Sequence, residues 1–166
     1  MEVRLLRNGL RWMHGFMRRI AAALLVSLLV LLVLAGSACA EEMKIIIAVN
    51  GRNLYATLED NPASRMLYEL MPITLKMKNV YQREMSYTLP AKLPVQKLSA
   101  NDYRAGDIIY WPHRNSIAII YKHNGEKFRR QNIGHIDSGV EVFRNITETD
   151  VTFAPYVDPN FPKPQL

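Results

Sequence analysis

Cysteine is nearly missing from this chain: Cys39 is the only one among 166 residues. No disulfide framework can hold the fold together, so a hydrophobic core must do it alone. Closely spaced metal ligands are missing as well. The four histidines, His14, His113, His123 and His135, show no zinc-motif spacing on a helix, and neither a metal nor another cofactor is expected. The chain has no glycine-rich phosphate loop and no Gly-x-Ser-x-Gly elbow, which removes the two commonest short signatures of nucleotide and ester chemistry. It also has no internal repeat and no low-complexity linker.

A basic surface is lacking too, although the formal net charge is +6. Residues 1–40 carry five arginines and one glutamate, or +4, which leaves +2 for residues 41–166. The longest later basic run, Lys127-Phe-Arg-Arg130, reads as a solvated strand end. Nucleic acid is therefore not an expected partner.

What the first 40 residues do contain is a leader pattern. Arg4, Arg7, Arg11, Arg18 and Arg19 precede an apolar run from Ile20 to Ala35, and Ala38-Cys39-Ala40 then meets Glu41-Glu42. A basic start, an apolar core and small-x-small before a polar residue mark a secretory signal peptide. The run is shorter than the ~20 residues that span a bilayer comfortably. Cleavage after Ala40 is expected, with an uncleaved anchor as the alternative. Cys39 is a candidate lipidation site, but a lipoprotein box asks for a branched residue three positions earlier and finds Gly36. The expected location is outside the cytoplasm: periplasmic, cell-envelope or secreted. Membrane contact is expected only through the leader or a lipid anchor.

Residues 41–157 read as one mainly β domain, and the proline-bearing residues 158–166 as a disordered tail. Lys44–Val49 and Asn53–Leu58 flank Asn50-Gly51, the strongest short hairpin signal. Asn61 or Asp60 caps a helix opened by Pro62, with Ala63, Met66, Leu67 and Leu70 on one apolar stripe. Ile73–Asn79 alternates, so Ile73, Leu75 and Met77 share one face. A turn over Tyr81–Glu84 leads to a strand from Met85 to Leu89. Leu93 and Leu98 anchor the loop that follows. Asp107–Trp111 and Ser116–Lys122 form a central hairpin, rich in residues that suit a pleated surface. A further hairpin turn is expected at His123–Glu126, then a strand Lys127–Ile136 with an irregularity near Gly134. A short helix at Val140–Ile146 and a strand at Val151–Val157 complete the pattern. Many short strands with close turn signals imply a barrel or sandwich, and closure removes sticky edges.

Six stretches carry a resemblance: Thr57-Leu-Glu-Asp-Asn-Pro-Ala-Ser-Arg65, Leu70-Met-Pro-Ile-Thr-Leu75, Tyr87-Thr-Leu-Pro90, Tyr103-Arg-Ala-Gly-Asp-Ile-Ile-Tyr110, Asn115-Ser-Ile-Ala-Ile-Ile-Tyr121 and Ile133-Gly-His-Ile-Asp-Ser-Gly-Val-Glu141. In order and spacing, residues 43–146 resemble the small bacterial cyclophilin-like proteins. The resemblance implies a closed cyclophilin-like β-barrel with one or two short helices, and it brings no known activity. Prolyl isomerases of the wider fold need an apolar proline pocket and an arginine that donates to the prolyl nitrogen, weakening an amide resonance worth ~18–20 kcal/mol at the barrier. Their Phe/Arg/Phe/Gln pattern is not found before Gly106-Asp107, so no catalytic residue is carried over.

The candidate ligand-binding residues lie around the central loop and the neighbouring segment. Trp111, His113, Arg114 and Asn115 place one large aromatic and three hydrogen-bonding groups within five residues, and Arg83, Glu84 and Tyr87 are positioned to approach. His135 and Asp137 share a strand face, and such a pair reads as a structural hydrogen bond before a base. The expected function is non-catalytic binding of a small ligand or extended peptide. The alternative is a divergent peptidyl-prolyl cis-trans isomerase with Arg83 or Arg114 at its rim.

Overall fold

Eight strands close into a barrel in the order β1-β2-β7-β5-β6-β4-β3-β8. The computed structural model describes residues 42–100, 103–123 and 125–159. The leader with Cys39 and the last seven residues of the tail lie outside the described residues.

β1 (Lys44–Val49) and β2 (Arg52–Leu58) meet at Asn50-Gly51, which both take positive φ, 47° and 72°. That is the conformation the dipeptide favours and other residues resist. Helix α1 (Pro62–Glu69) follows. Asn61 caps it, accepting from the Ser64 amide at 3.0 Å, an interaction worth ~1 kcal/mol. Ala63, Ser64 and Leu67 are buried, but Leu70, expected on the same stripe, sits at the C-terminal cap and is about half exposed.

β3 (Ile73–Val80) keeps the expected alternation: Leu75 and Met77 are buried, while Thr74, Lys76 and Lys78 are exposed. β4 (Glu84–Thr88) begins one residue earlier than expected. β5 (Asp107–Trp111) and β6 (Ser116–Ile120) form the central hairpin, joined by a 3-10 turn over Pro112–Arg114. β7 (Gln131–Ile136), a 3-10 segment at Val140–Asn145 and β8 (Glu148–Pro155) complete the described fold.

Two sequence expectations are overturned in the crossover between β6 and β7. His123–Glu126 is not a hairpin turn, and Lys127–Arg130 is not part of a strand. The reason is that β6 already has β5 on one side and β4 on the other. No edge is left for a partner, so the chain leaves β6 and returns as β7 between β2 and β5. The last strand also starts at Glu148, three residues earlier than expected, because Glu148–Asp150 pair with Lys76–Lys78.

The irregularity expected near Gly134 is present. Ile108 opposes Gly134 and Ile109 opposes Asn132, so Ile133 is the extra residue of a β-bulge. The carbonyls around the bulge are used by the helix. Asn61 Nδ2 donates to Asn132 O at 2.9 Å, and Ser64 Oγ and the Glu59 amide donate to Ile133 O at 2.9 and 2.8 Å. Here the residue type at 134 is dictated by approach of the β2 backbone. An added Cβ would strike the Thr57 carbonyl and lie 2.9 Å from Leu58 Cα.

The main core fills the barrel with Ile45, Ile47, Leu75, Met77, Met85, Ile108, Ile117, Ile119, Val151 and Phe153 among others. A second, smaller core lies on the outside of β5 and β6. Ile109, Ala118 and Ile120 alternate with the inward residues and pack with Tyr103 and Phe128. This explains why Ile117-Ala-Ile-Ile120 is apolar without alternation: the strand is buried on both faces.

Candidate functional site

Outside the barrel, β3, β4, β6 and β5 lie side by side and present three cross-strand rows. One row is Val80, Glu84 and Ile120; the next is Lys78, Ser86, Ala118 and Ile109; the third is Thr88, Ser116 and Trp111. The crossover covers part of this face and leaves a groove beside it. The groove has a volume of ≈ 360 Å³, with a hydroxyl floor of Ser86, Thr88 and Ser116. Lys76 and Lys78 stand on its β3 side, and Trp111 and Arg114 on its β5 side. An adjoining hollow of ≈ 320 Å³ shares Tyr81 and Trp111 and is bounded by Arg83, Glu126 and Phe128.

Arg83 is 3 % exposed and Glu84 likewise 3 %. Arg83 Nε donates to Glu84 Oε2 at 3.1 Å, and its Nη1 donates to Tyr103 Oη at 3.2 Å and to the Glu126 carboxylate. Its guanidinium lies 5.1 Å from the Tyr81 ring centre, 5.4 Å from Phe128 and 5.7 Å from Tyr103. Burial would lower the Arg83 pKa, but the Glu126 hydrogen bond and the Glu84 charge outweigh it and raise it. Burial pushes Glu84 above the usual carboxylate value, opposed by Arg83. Burial also raises Tyr103, again opposed by Arg83. Arg83 carries backbone load as well, since its carbonyl accepts from the Tyr121 and Lys122 amides at 2.9 and 3.1 Å. A second arginine, Arg130, is 1 % exposed and lies 5.3 Å from the Tyr103 ring centre.

The fold brings five of the seven candidate residues to this region. Arg83 and Glu84 form its buried ion pair, Tyr87 is half-buried at the groove, and Arg114 lies 5.2 Å from the Trp111 ring centre. His113 is exposed, with its ring 6.5 Å from that of Trp111. Asn115 turns away. Its φ of 49° closes the loop, its Nδ2 donates to Leu89 O at 2.7 Å, and its Oδ1 accepts from Tyr110 Oη at 2.8 Å.

Sequence reasoning missed Tyr81. It is 58 % exposed and borders both hollows. With Gln82 it makes the β3–β4 turn at φ 56° and 51°, a left-handed pair without glycine. Non-glycine residues pay conformational strain there, and such strain gathers at working surfaces. The signal in the sequence was the short polar gap Tyr81–Glu84 between an alternating strand and the next apolar run.

The His135 pairing needs correcting. Its Nδ1 lies 2.8 Å from Asp107 Oδ1, across the β5–β7 ladder, and Asp137 is exposed beyond the strand. Asp107 Oδ2 also accepts from the Arg104 amide at 2.9 Å. Among the described residues no group of three or more His, Cys, Asp or Glu side chains is placed to hold a metal ion.

A closed eight-stranded barrel with short helical caps defines the class of fold. A profile of the cyclophilin-like family matches residues 47–154, and the chain belongs to that family. No curated protein matches it. Among solved structures it is similar to the solution structure of the hypothetical protein AF2241 from Archaeoglobus fulgidus, with 17% identity and a TM-score of 0.56. The match covers 72% of this chain and 99% of that one, and at this identity it shows the fold alone.

Proposed function

We propose that this cyclophilin-like barrel is a non-catalytic binding module that takes a small ligand or extended peptide in the outer groove. The observation that carries the reading is the wall made by Tyr81, Trp111 and Arg114 beside a hydroxyl-lined floor. A rigid sheet positions these groups, and aromatic and arginine side chains are the usual anchors of recognition. The leader pattern supports export to the periplasm, cell envelope or exterior. Intact mass of the processed chain tests that part: a start at Glu41 supports cleavage, and a lipid-modified Cys39 supports anchoring instead.

A divergent prolyl isomerase is the second reading, favoured by the exposed Arg114 at the groove rim. Arg83 is the poorer candidate, because its donors already engage Glu84, Glu126 and Tyr103. Both readings are separated by NMR exchange spectroscopy on a short Xaa-Pro peptide. Uncatalysed interconversion takes tens to hundreds of seconds, so cis–trans exchange peaks that vanish in Arg114→Ala establish the isomerase. Peptide shifts without exchange peaks establish the binding module. If the peptide spectrum is unchanged, this peptide class is ruled out as the ligand.

A further inference from the structure

We infer that the groove selects organic anions: ligands with a carboxylate or phosphate group held by Lys76, Lys78 and Arg114, and an apolar body laid against Trp111. This deepens the binding reading above and rests on it. Three observations carry it. The first is charge. Lys76 and Lys78 stand on one side and share a single carboxylate, Glu148, at 3.2 and 3.5 Å. Arg114 adds a third cation on the other side, where it stacks on Trp111. The acid within the groove, Glu84, is bound to the buried Arg83. Glu148 and Asp150, which oppose Lys78 and Lys76 from β8, lie outside the lining, so three cations against the one acid Glu84 leave the lining positive.

The second observation is the floor. Ser86, Thr88 and Ser116 face the groove from β4 and β6. Hydroxyls rotate to donate to an oxyanion, and they do so without adding charge. The third is closure. β3, β4, β6 and β5 each have a neighbour on both sides within the barrel, and β3 and β4 part only beyond Lys78 and Ser86, so the open edge is confined to one end of the groove. Across the rest of the floor a ligand is read by side chains. The lysine strand and the tryptophan strand are three strand spacings apart, or about 14 Å. Long side chains on both narrow this gap to the size of a small molecule. Guanidinium and ammonium groups then fix the oxyanion, and the indole face takes the apolar part.

The test uses the full-length chain carrying Trp12→Phe, in which Trp111 is the one indole. Its fluorescence, excited where tyrosine does not absorb, is titrated with phenylacetate, phenyl phosphate, the neutral phenylacetamide and the cationic phenethylamine. The inference expects one or both anions to bind at least about tenfold more tightly than the amide, a difference of about 1.4 kcal/mol. It also expects that preference to fall with added salt and to disappear in Lys76→Gln/Lys78→Gln. Preference for the carboxylate or for the phosphate tells which oxyanion the site takes. If the amide or the amine binds as well as the anions, the inference is wrong while the groove remains a binding site. If no probe of any charge alters the Trp111 signal, both the inference and the groove's binding role are overturned.

Discussion

Gly134 shows how far one missing atom can matter. It allows β2 to lie against the bulge in β7, where any Cβ would meet the backbone of Thr57 and Leu58. Backbone cannot step aside as a flexible side chain can. Gly134→Ala is expected to cost about 1–3 kcal/mol, the range of overpacked core sites. Urea denaturation checks it, and a loss under about 0.5 kcal/mol would mean that the strands separate freely. Glu84 gives a different kind of test. Burial raises its folded pKa above the ordinary value of 4.5. The folded state thus holds the proton more tightly than the unfolded state. The stability linked to it is complete below the ordinary value and is lost as pH rises through the raised one. Wild type should therefore lose stability relative to Glu84→Gln as pH rises above 4.5. Parallel stability curves for the two proteins from pH 4 to 7 would rule this out.

At the scale of elements, the two hairpin turns invite comparison. Both place two consecutive residues in left-handed conformation, Asn50-Gly51 between β1 and β2 and Tyr81-Gln82 between β3 and β4. The first pair suits that geometry and the second resists it. The left-handed turn at Tyr81-Gln82 places an exposed ring at the edge of the groove. Gln82→Gly is expected to stabilise the protein by about 0.5–1 kcal/mol, since glycine relieves the left-handed strain at some cost in chain entropy. Thermal melting checks this: an unchanged or lower midpoint would show that the Gln82 side chain makes contacts that outweigh its strain. Asn61 illustrates the opposite economy, one side chain serving two elements. It caps α1 and donates to the bulge of β7, so the helix is tied to the sheet at its first turn.

For the molecule as a whole, the consequential feature is a small core outside the barrel. The β6–β7 crossover lays Phe128 over Tyr103, Ile109, Ala118 and Ile120, and Arg83 joins it to the β3–β4 turn through Glu126. Removing the arginine leaves Glu84 buried without its partner, a loss of about 3–5 kcal/mol. Arg83→Met should therefore destabilise far more than Glu126→Gln, whose carboxylate is 64% exposed. Equal losses in the two variants, measured by denaturant unfolding, would show that Glu84 does not depend on Arg83. The ion pairs of Lys76 and Lys78 with Glu148 are solvent-facing and add little by comparison.

The sequence alone determined what short-range chemistry controls. The Asn50-Gly51 turn, the Asn61 cap, the alternation of β3, the central β5–β6 hairpin and the mainly β barrel were all legible, because turn preference and side-chain period act within a few residues. The family was legible in six stretches through their order and spacing along the chain. Pairing was not legible. Residues 123–136 have the composition of a hairpin, and only the occupation of both edges of β6 turns them into a crossover. The same holds for the site. Arg83, Glu84, Trp111 and Arg114 could be suspected singly, whereas the two lysines reach the groove through strand register and Tyr81 through the left-handed turn. His135 took Asp107 rather than Asp137 by that same register. Which residues face one another across a sheet is set by the closure of the whole barrel, which is a property of all eight strands together and of no single stretch of chain.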